Sequence, residues 1–212
     1  MTQLKYSRRH FLQLAATGLI SYSSSAPALF RLANACLDPL KTPTTALETL
    51  AWQGINPVNY WDCHTHIVGS GDGGSGITMS ADMNAPLLHP IQTIQHWAYA
   101  NAACTGNSGG QDIAFVKRLL ALLETLPQGA KAMLYAFDKA HGANGDANHA
   151  NTSFFVPNDY AMSLAQRYPE RFEWVASIHP YRHDCVRVLE QAAAGGARSV
   201  SVLQLSSSIE LK

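Results

Sequence analysis

Two histidines stand two residues apart in the segment Asp62-Cys63-His64-Thr65-His66. On an extended backbone successive side chains alternate, so residues two apart face the same way and both imidazoles can reach one ion. Neutral imidazole nitrogen suits Zn²⁺ and related divalent metals at ~2.0–2.1 Å. A His-x-His pair alone is common on polar surfaces, so its meaning depends on its company. Two further segments supply that company: Asp138-Lys139-Ala140-His141 and His179-Pro180-Tyr181. If all three follow strands of one parallel sheet, they form a cup of ionisable groups above it, the arrangement of a metal-assisted active site. His64 and His66 are then candidate metal ligands, and Asp138, His141 and His179 candidate substrate-binding groups. Each of the last three also has a plain structural alternative: a solvated loop for Asp138 and His141, a satisfied histidine before proline for His179. No residue is assigned as nucleophile or general base.

The elements that must position these groups alternate strand and helix. Residues 58–63 form a short apolar run with Tyr60 and Trp61, whose length and aromatic content favour a buried strand. Residues 111–126 place Ile113, Val116, Leu119, Leu120 and Leu123 on one helical face, closed by Pro127 and Gly129. Residues 91–103 also read as helix. A second buried strand is expected over 132–137, followed by a polar loop from 138 to 152. Asn158 then caps a helix through Gln166, ended at Tyr168-Pro169 because the residue before proline resists helical geometry. A third strand follows over 174–178, a helix over 184–194 stopped by Gly195-Gly196, and a fourth strand over 199–205. Continuous rather than alternating apolar strands, interleaved with helices, argue for an α/β fold with parallel pairing. In such folds chemistry collects at the carboxyl ends of the strands.

The loops 69–86 and 138–157, rich in Gly and Asn, are placed to shape the mouth of a pocket. No Gly-x-x-x-x-Gly-Lys pattern is present to cradle a nucleotide phosphate, and the single Asp72 among the glycines is too few carboxylates for a calcium loop. A 47% hydrophobic and 14% charged composition excludes disordered, collagen-like and coiled-coil chains. Fifteen basic residues balance fifteen acidic ones, which leaves no electrostatic footprint for nucleic acid. Lys5, Arg8, Arg9 and Arg31 all precede residue 36, where no acid stands, so the neutral total divides into a basic leader and a mildly acidic body.

That leader reads as an address. A basic start, an apolar stretch over residues 11–20 and Ala-x-Ala steps at Ala26 to Ala28 and Ala33 to Ala35 make residues 1–35 an export signal. Within it Ser7-Arg8-Arg9-His10-Phe11-Leu12-Gln13 resembles the twin-arginine pattern, with Arg8, Arg9, Phe11 and Leu12 as the residues read by the twin-arginine export machinery and Gln13 in place of the usual Lys. The apolar stretch falls short of the ~20 residues that cross a bilayer. The expected destination is the bacterial periplasm. There Cys36, Cys63, Cys104 and Cys185 could pair in three ways, although their irregular spacing suggests buried free thiols.

Over roughly residues 57–200 the chain resembles the amidohydrolase-related family of metal-dependent hydrolases. The segments that carry the resemblance are Asp62-Cys63-His64-Thr65-His66-Ile67-Val68-Gly69, Tyr135-Ala136-Phe137-Asp138, Phe155-Val156-Pro157-Asn158-Asp159-Tyr160, Ala176-Ser177-Ile178-His179-Pro180-Tyr181-Arg182 and Gly195-Gly196-Ala197-Arg198. The resemblance implies a (β/α)₈ barrel of the TIM type and a divalent metal, Zn²⁺ first, held through His64 and His66. That metal would activate water against an amide, lactone or ester of a small-molecule substrate. It also implies further ligands and a general base on later strands, including a strand-four Lys where this chain has Ser201 in Val200-Ser201-Val202-Leu203-Gln204.

A barrel of this type takes ~250 residues, whereas the 212 residues here carry four recognisable strands. The expected organisation is an export signal over 1–35, a linker or N-terminal extension over 36–56 and about the first half of a barrel over 57–212. Three readings stand side by side: a truncated metal-dependent hydrolase, an exported noncatalytic α/β module, and a half-barrel completed by a second copy or by a separate C-terminal chain.

Overall fold

The structure is a computed structural model that describes residues 36–41, 43–105 and 110–202. The leader, with Arg8, Arg9, Phe11 and Leu12, lies outside the described residues. The chain divides into two units, Met1–Cys36 and Leu37–Lys212, and the fold is that of the second.

A short helix, α1 (Ala46–Ala51), opens this unit. A capping box starts it: Glu48 N–H donates to Thr45 Oγ1 at 3.2 Å, and Thr45 N–H donates to the Glu48 carboxylate at 2.5 Å. Strand β1 (Trp61–His66) follows a single 3₁₀ turn over Pro57–Asn59. Pro57 fixes its own φ and the Asn56 side chain accepts from Val58 N–H, so the chain turns where the apolar run led us to expect strand. In consequence β1 begins later than residue 58, and both histidines lie within it rather than beyond it.

The remaining elements are β2 (Thr78–Met79), α2 (Pro90–Ala103), α3 (Gln111–Glu124), β3 (Lys131–Tyr135), β4 (Phe154–Phe155), α4 (Asn158–Arg167), β5 (Phe172–Ser177), α5 (Cys185–Ala194) and β6 (Ser199–Ser201). The fold is α/β. Four strands form a curled parallel sheet in the order β1-β3-β5-β6, and β2 pairs antiparallel with β4 in a separate ribbon.

The core lies where apolar strands meet amphipathic helices. Every residue of β5 is buried, and Ala132, Met133 and Leu134 are buried on β3. Phe115, Val116 and Leu123 of α3 and Ala161 and Leu164 of α4 cover the sheet. A fully buried Leu or Phe contributes about 1.5–3 kcal/mol relative to exposure. On α3 the burial differs from the expected face: Phe115 points inward and Ile113 is 66% exposed. The buried side chains at 112, 115, 116 and 123 set the helix rotation, and Ile113 falls off that arc.

β1 departs from the expectation of a buried strand. Asp62, Cys63, His64 and His66 are exposed, because among the described residues β1 pairs only with β3 and forms an edge. Cysteine usage also differs. Cys104 is disulfide-bonded, Cys63 is an exposed thiol and Cys185 a half-buried one, since spacing along the chain does not report distance in space.

At the amino ends of the strands a charged brace ties the sheet together. Glu173 on β5 accepts from Lys131 Nζ of β3 at 2.9 Å and from Arg198 Nε, just before β6, at 2.8 Å. The Arg198 guanidinium also lies 5.6 Å from the ring of Trp61 on β1. No helix among the described residues is long and apolar enough to cross a membrane.

Candidate metal and substrate site

The regular parallel ladder between β1 and β3 is interrupted. Trp61 and Asp62 pair with Lys131 and Ala132, but Thr65 and His66 pair with Leu134 and Tyr135, so β1 holds one extra residue around Cys63-His64. This is a β-bulge, which re-aims side chains and is enriched beside active sites. The Asp62 carboxylate accepts the His64 N–H at 3.1 Å. The outcome is convergence: His64 Nε2 and His66 Nε2 stand 2.9 Å apart. That contact is a hydrogen bond in which one imidazole donates to the other; two nitrogens held by one tetrahedral ion at ~2.0–2.1 Å would lie roughly 3.3 Å apart, so an ion taken up by both would replace the shared proton and part the rings slightly.

Aromatic rings back the pair. His64 stacks on Tyr135 with centroids 4.9 Å apart and planes 17° from parallel. His66 leans against Tyr135 at 5.7 Å and Phe137 at 6.3 Å. These rings shield the His66 imidazole although the residue keeps an exposed edge. Burial first, and the neighbouring His64 second, lower its pKa below the usual 6.5. Around neutral pH His66 is therefore uncharged, the state a metal ligand must have.

Asp138, His141 and His179 are gathered by the loops after β3 and β5, as expected, but not all are available for chemistry. The Asp138 carboxylate is buried and fully engaged: it accepts from Arg182 Nη1 at 2.9 and 3.1 Å, from His179 N–H at 2.8 Å and from Lys139 N–H at 2.8 Å. Asp138 is thus a brace between two strand-end loops. Arg182 is shared with Asp184 through Nε at 2.9 Å, so its charge is balanced on both sides.

His141 and His179 lie side by side, ring centroids 5.2 Å apart. Because a carbonyl can only accept, the 3.0 Å contact of His141 Nδ1 with Gly145 O places the proton on Nδ1. His141 Nε2 is consequently an acceptor, and it is buried with no hydrogen-bond partner. His179 is 4% exposed and its Nδ1 accepts from Tyr181 N–H at 3.2 Å. Burial, then His141, lower its pKa below 6.5, with the Asp138 charge acting in the opposite sense. His149 sits exposed in a single 3₁₀ turn.

Two arrangements escaped sequence reasoning. Asn158, expected as a helix cap, is the first residue of α4, and its amide clips the end of β5 instead. Ser177 N–H donates to Asn158 Oδ1 at 2.8 Å and Asn158 Nδ2 donates to Ser177 O at 3.0 Å. The Gly-rich loop after β1 is wrapped around Asp112 of α3, which is 1% exposed. Ser70 N–H and Gly71 N–H donate to Asp112 Oδ1 at 2.8 and 3.0 Å. Gly73 N–H and Ser75 Oγ–H donate to Oδ2 at 3.0 and 2.6 Å. A Cβ at Gly69 would meet Asp112 Oδ1 at 2.2 Å, which explains that glycine. The loops 69–86 and 138–157 are joined by the β2–β4 ribbon, with Thr78 opposite Phe155 and Met79 opposite Phe154.

Among the described residues no group of three or more His, Cys, Asp or Glu side chains is placed to hold a metal ion. His64 and His66 could supply two ligands. No family model, curated protein or solved structure matches the chain.

Proposed function

We propose that the chain carries the metal-binding end of a metal-dependent hydrolase of the amidohydrolase-related type, on a scaffold of the (β/α)₈ kind, acting on an amide, lactone or ester of a small molecule. The observation that supports this most is the 2.9 Å convergence of His64 Nε2 and His66 Nε2 across a bulge at the carboxyl end of β1. Bound there, a divalent ion such as Zn²⁺ would supply Lewis acidity toward the scissile group and toward water. The chain's own part is to present two neutral imidazoles, wall them with Tyr135 and Phe137, and fix the neighbouring loops through Asp138. His141 Nε2 offers an acceptor to a substrate hydroxyl or N–H.

Export by the twin-arginine route to the periplasm belongs to the same proposal. It rests on Arg8, Arg9, Phe11 and Leu12 and draws support from the disulfide-bonded Cys104, since such bonds persist in oxidising compartments.

A second reading, an exported α/β module without catalysis, is favoured by a different observation: two imidazoles without a third ligand among the described residues. Catalytic zinc ordinarily has three protein ligands. Metal analysis of the purified full chain separates the two. Stoichiometric Zn²⁺ that is lost in both His64→Ala and His66→Ala supports the hydrolase reading; no bound metal, and no change on substitution, supports the module.

A further inference from the structure

We propose that Asp112 is the positioning residue of the His64–His66 pair, acting through the Gly-rich loop. For metal affinity the inference rests on the hydrolase reading; for the geometry of the pair it stands by itself.

β1 is weakly held. It has a single ladder partner among the described residues, the bulge breaks that ladder between Asp62 and Thr65, and four of its six residues are exposed. Its carboxyl end is held by the pairing of Thr65 and His66 with β3 and, beyond the bulge, by the segment that follows His66. Ile67, 1% exposed, enters the core that Phe115 and Val116 of α3 help to build. Three residues further on, backbone N–H groups of Ser70, Gly71 and Gly73 and the hydroxyl of Ser75 all donate to one buried carboxylate on the same helix. A carboxylate 1% exposed that accepts from four donors is held firmly, because withdrawing donors leaves its buried charge less well solvated.

The helix end that carries Asp112 is fixed in turn by the loop. Asp72 accepts from Gly110 N–H at 2.7 Å, Gln111 N–H at 2.8 Å and Asp112 N–H at 3.2 Å. Loop and helix therefore lock each other. The strand end bearing the imidazoles is anchored to α3 by this lock, and metal affinity depends on such support behind the ligands.

The lock has an alternative role to beat, which is mere stabilisation of the fold. NMR on the full-length, metal-free chain distinguishes them by the ring-to-ring NOEs of His64 with Tyr135 and of His66 with Phe137. The variants are Asp112→Asn, which removes the charge and two acceptor contacts, and Gly69→Ala, which keeps the charge but pushes the carboxylate away. Glu173→Gln, at the opposite end of the strands, serves as a control for lowered stability. We expect both lock variants to lose the His64–Tyr135 NOE while far-UV circular dichroism stays native, and Glu173→Gln to keep it. If the lock variants melt earlier but keep both NOEs, the proposal is overturned. Should Asp112→Asn fail to fold, Gly69→Ala and the milder Ser75→Ala carry the same decision. Titration with Co²⁺ forms a separate arm: wild type binding at least tenfold tighter than Asp112→Asn supports the link to metal affinity. Equal Co²⁺ binding overturns that link, and wild-type chain that binds no Co²⁺ sinks the hydrolase reading while leaving the NOEs to decide on Asp112.

Discussion

Asp72 and Asp112 exchange services across the junction of loop and helix. The Asp72 carboxylate takes the N–H groups that open α3, and the Asp112 carboxylate takes the N–H groups of the loop in which Asp72 sits. Two like charges so close in space would ordinarily repel. Here each accepts hydrogen bonds from the other's segment, and those to Asp72 favour its charged form and hold its pKa below the usual carboxylate value of 3.8, with the Gln111 N–H contributing most.

Asp72→Ala should therefore lower the melting temperature and speed hydrogen exchange at the Gln111 and Asp112 amides, without altering exchange in β5. Unchanged exchange at those two amides would show that the cap does not hold the helix start.

Tyr135 offers a test of the wall behind the imidazoles. Its stacking on His64 needs the ring, not the hydroxyl, so on the proposal that the pair takes up Zn²⁺, Tyr135→Phe should leave that affinity close to wild type. Tyr135→Ala should weaken it by about tenfold, the scale of support lost behind a ligand. Isothermal titration reads both, and equal affinities in all three chains would remove Tyr135 from the site.

The pH response has a definite sign. His66 and His179 have pKa values lowered from 6.5, so the unfolded chain binds protons before the folded one as pH falls. Stability should be full above about pH 6.5 and decline as pH drops through the lowered folded values. A second loss should begin below pH 4.5, where Glu173, lowered chiefly by its hydrogen bond from Arg198, starts to be protonated in the unfolded chain first. Urea midpoints measured from pH 7.5 to 4 should show this order; a midpoint that rises between pH 6.5 and 5.5 would contradict it.

Glu173→Gln should cost about 1–3 kcal/mol, because Lys131 loses its charged acceptor beneath the sheet. Chemical denaturation measures the loss. A change below a few tenths would mean that the brace contributes order but little stability.

The closeness of His64 and His66 was legible because residues two apart on an extended strand tend to share a face. The grouping of Asp138, His141 and His179 followed from parallel α/β order alone. The bulge was hidden, since nothing in Cys63-His64 announces an extra residue; it arises from pairing with β3 and from the Asp62 contact. Asp112 was equally hidden. A single acid in the first turn of a helix looks like an ordinary dipole partner, and the glycines that surround it look like a pocket rim. Their donors turn out to be spent on a carboxylate of the chain itself. Asn158 illustrates the same limit, for a residue type suited to capping can instead imitate backbone and close the end of a strand.

The β2–β4 ribbon carries an evolutionary consequence. Because Thr78–Met79 and Phe154–Phe155 are paired in register, the two loops over the strand ends form one inheritable part. A lengthened or swapped loop on one side shifts pairing on the other, so variation over this end of the sheet should arise from matched changes in both segments, and grafting experiments should transplant them together.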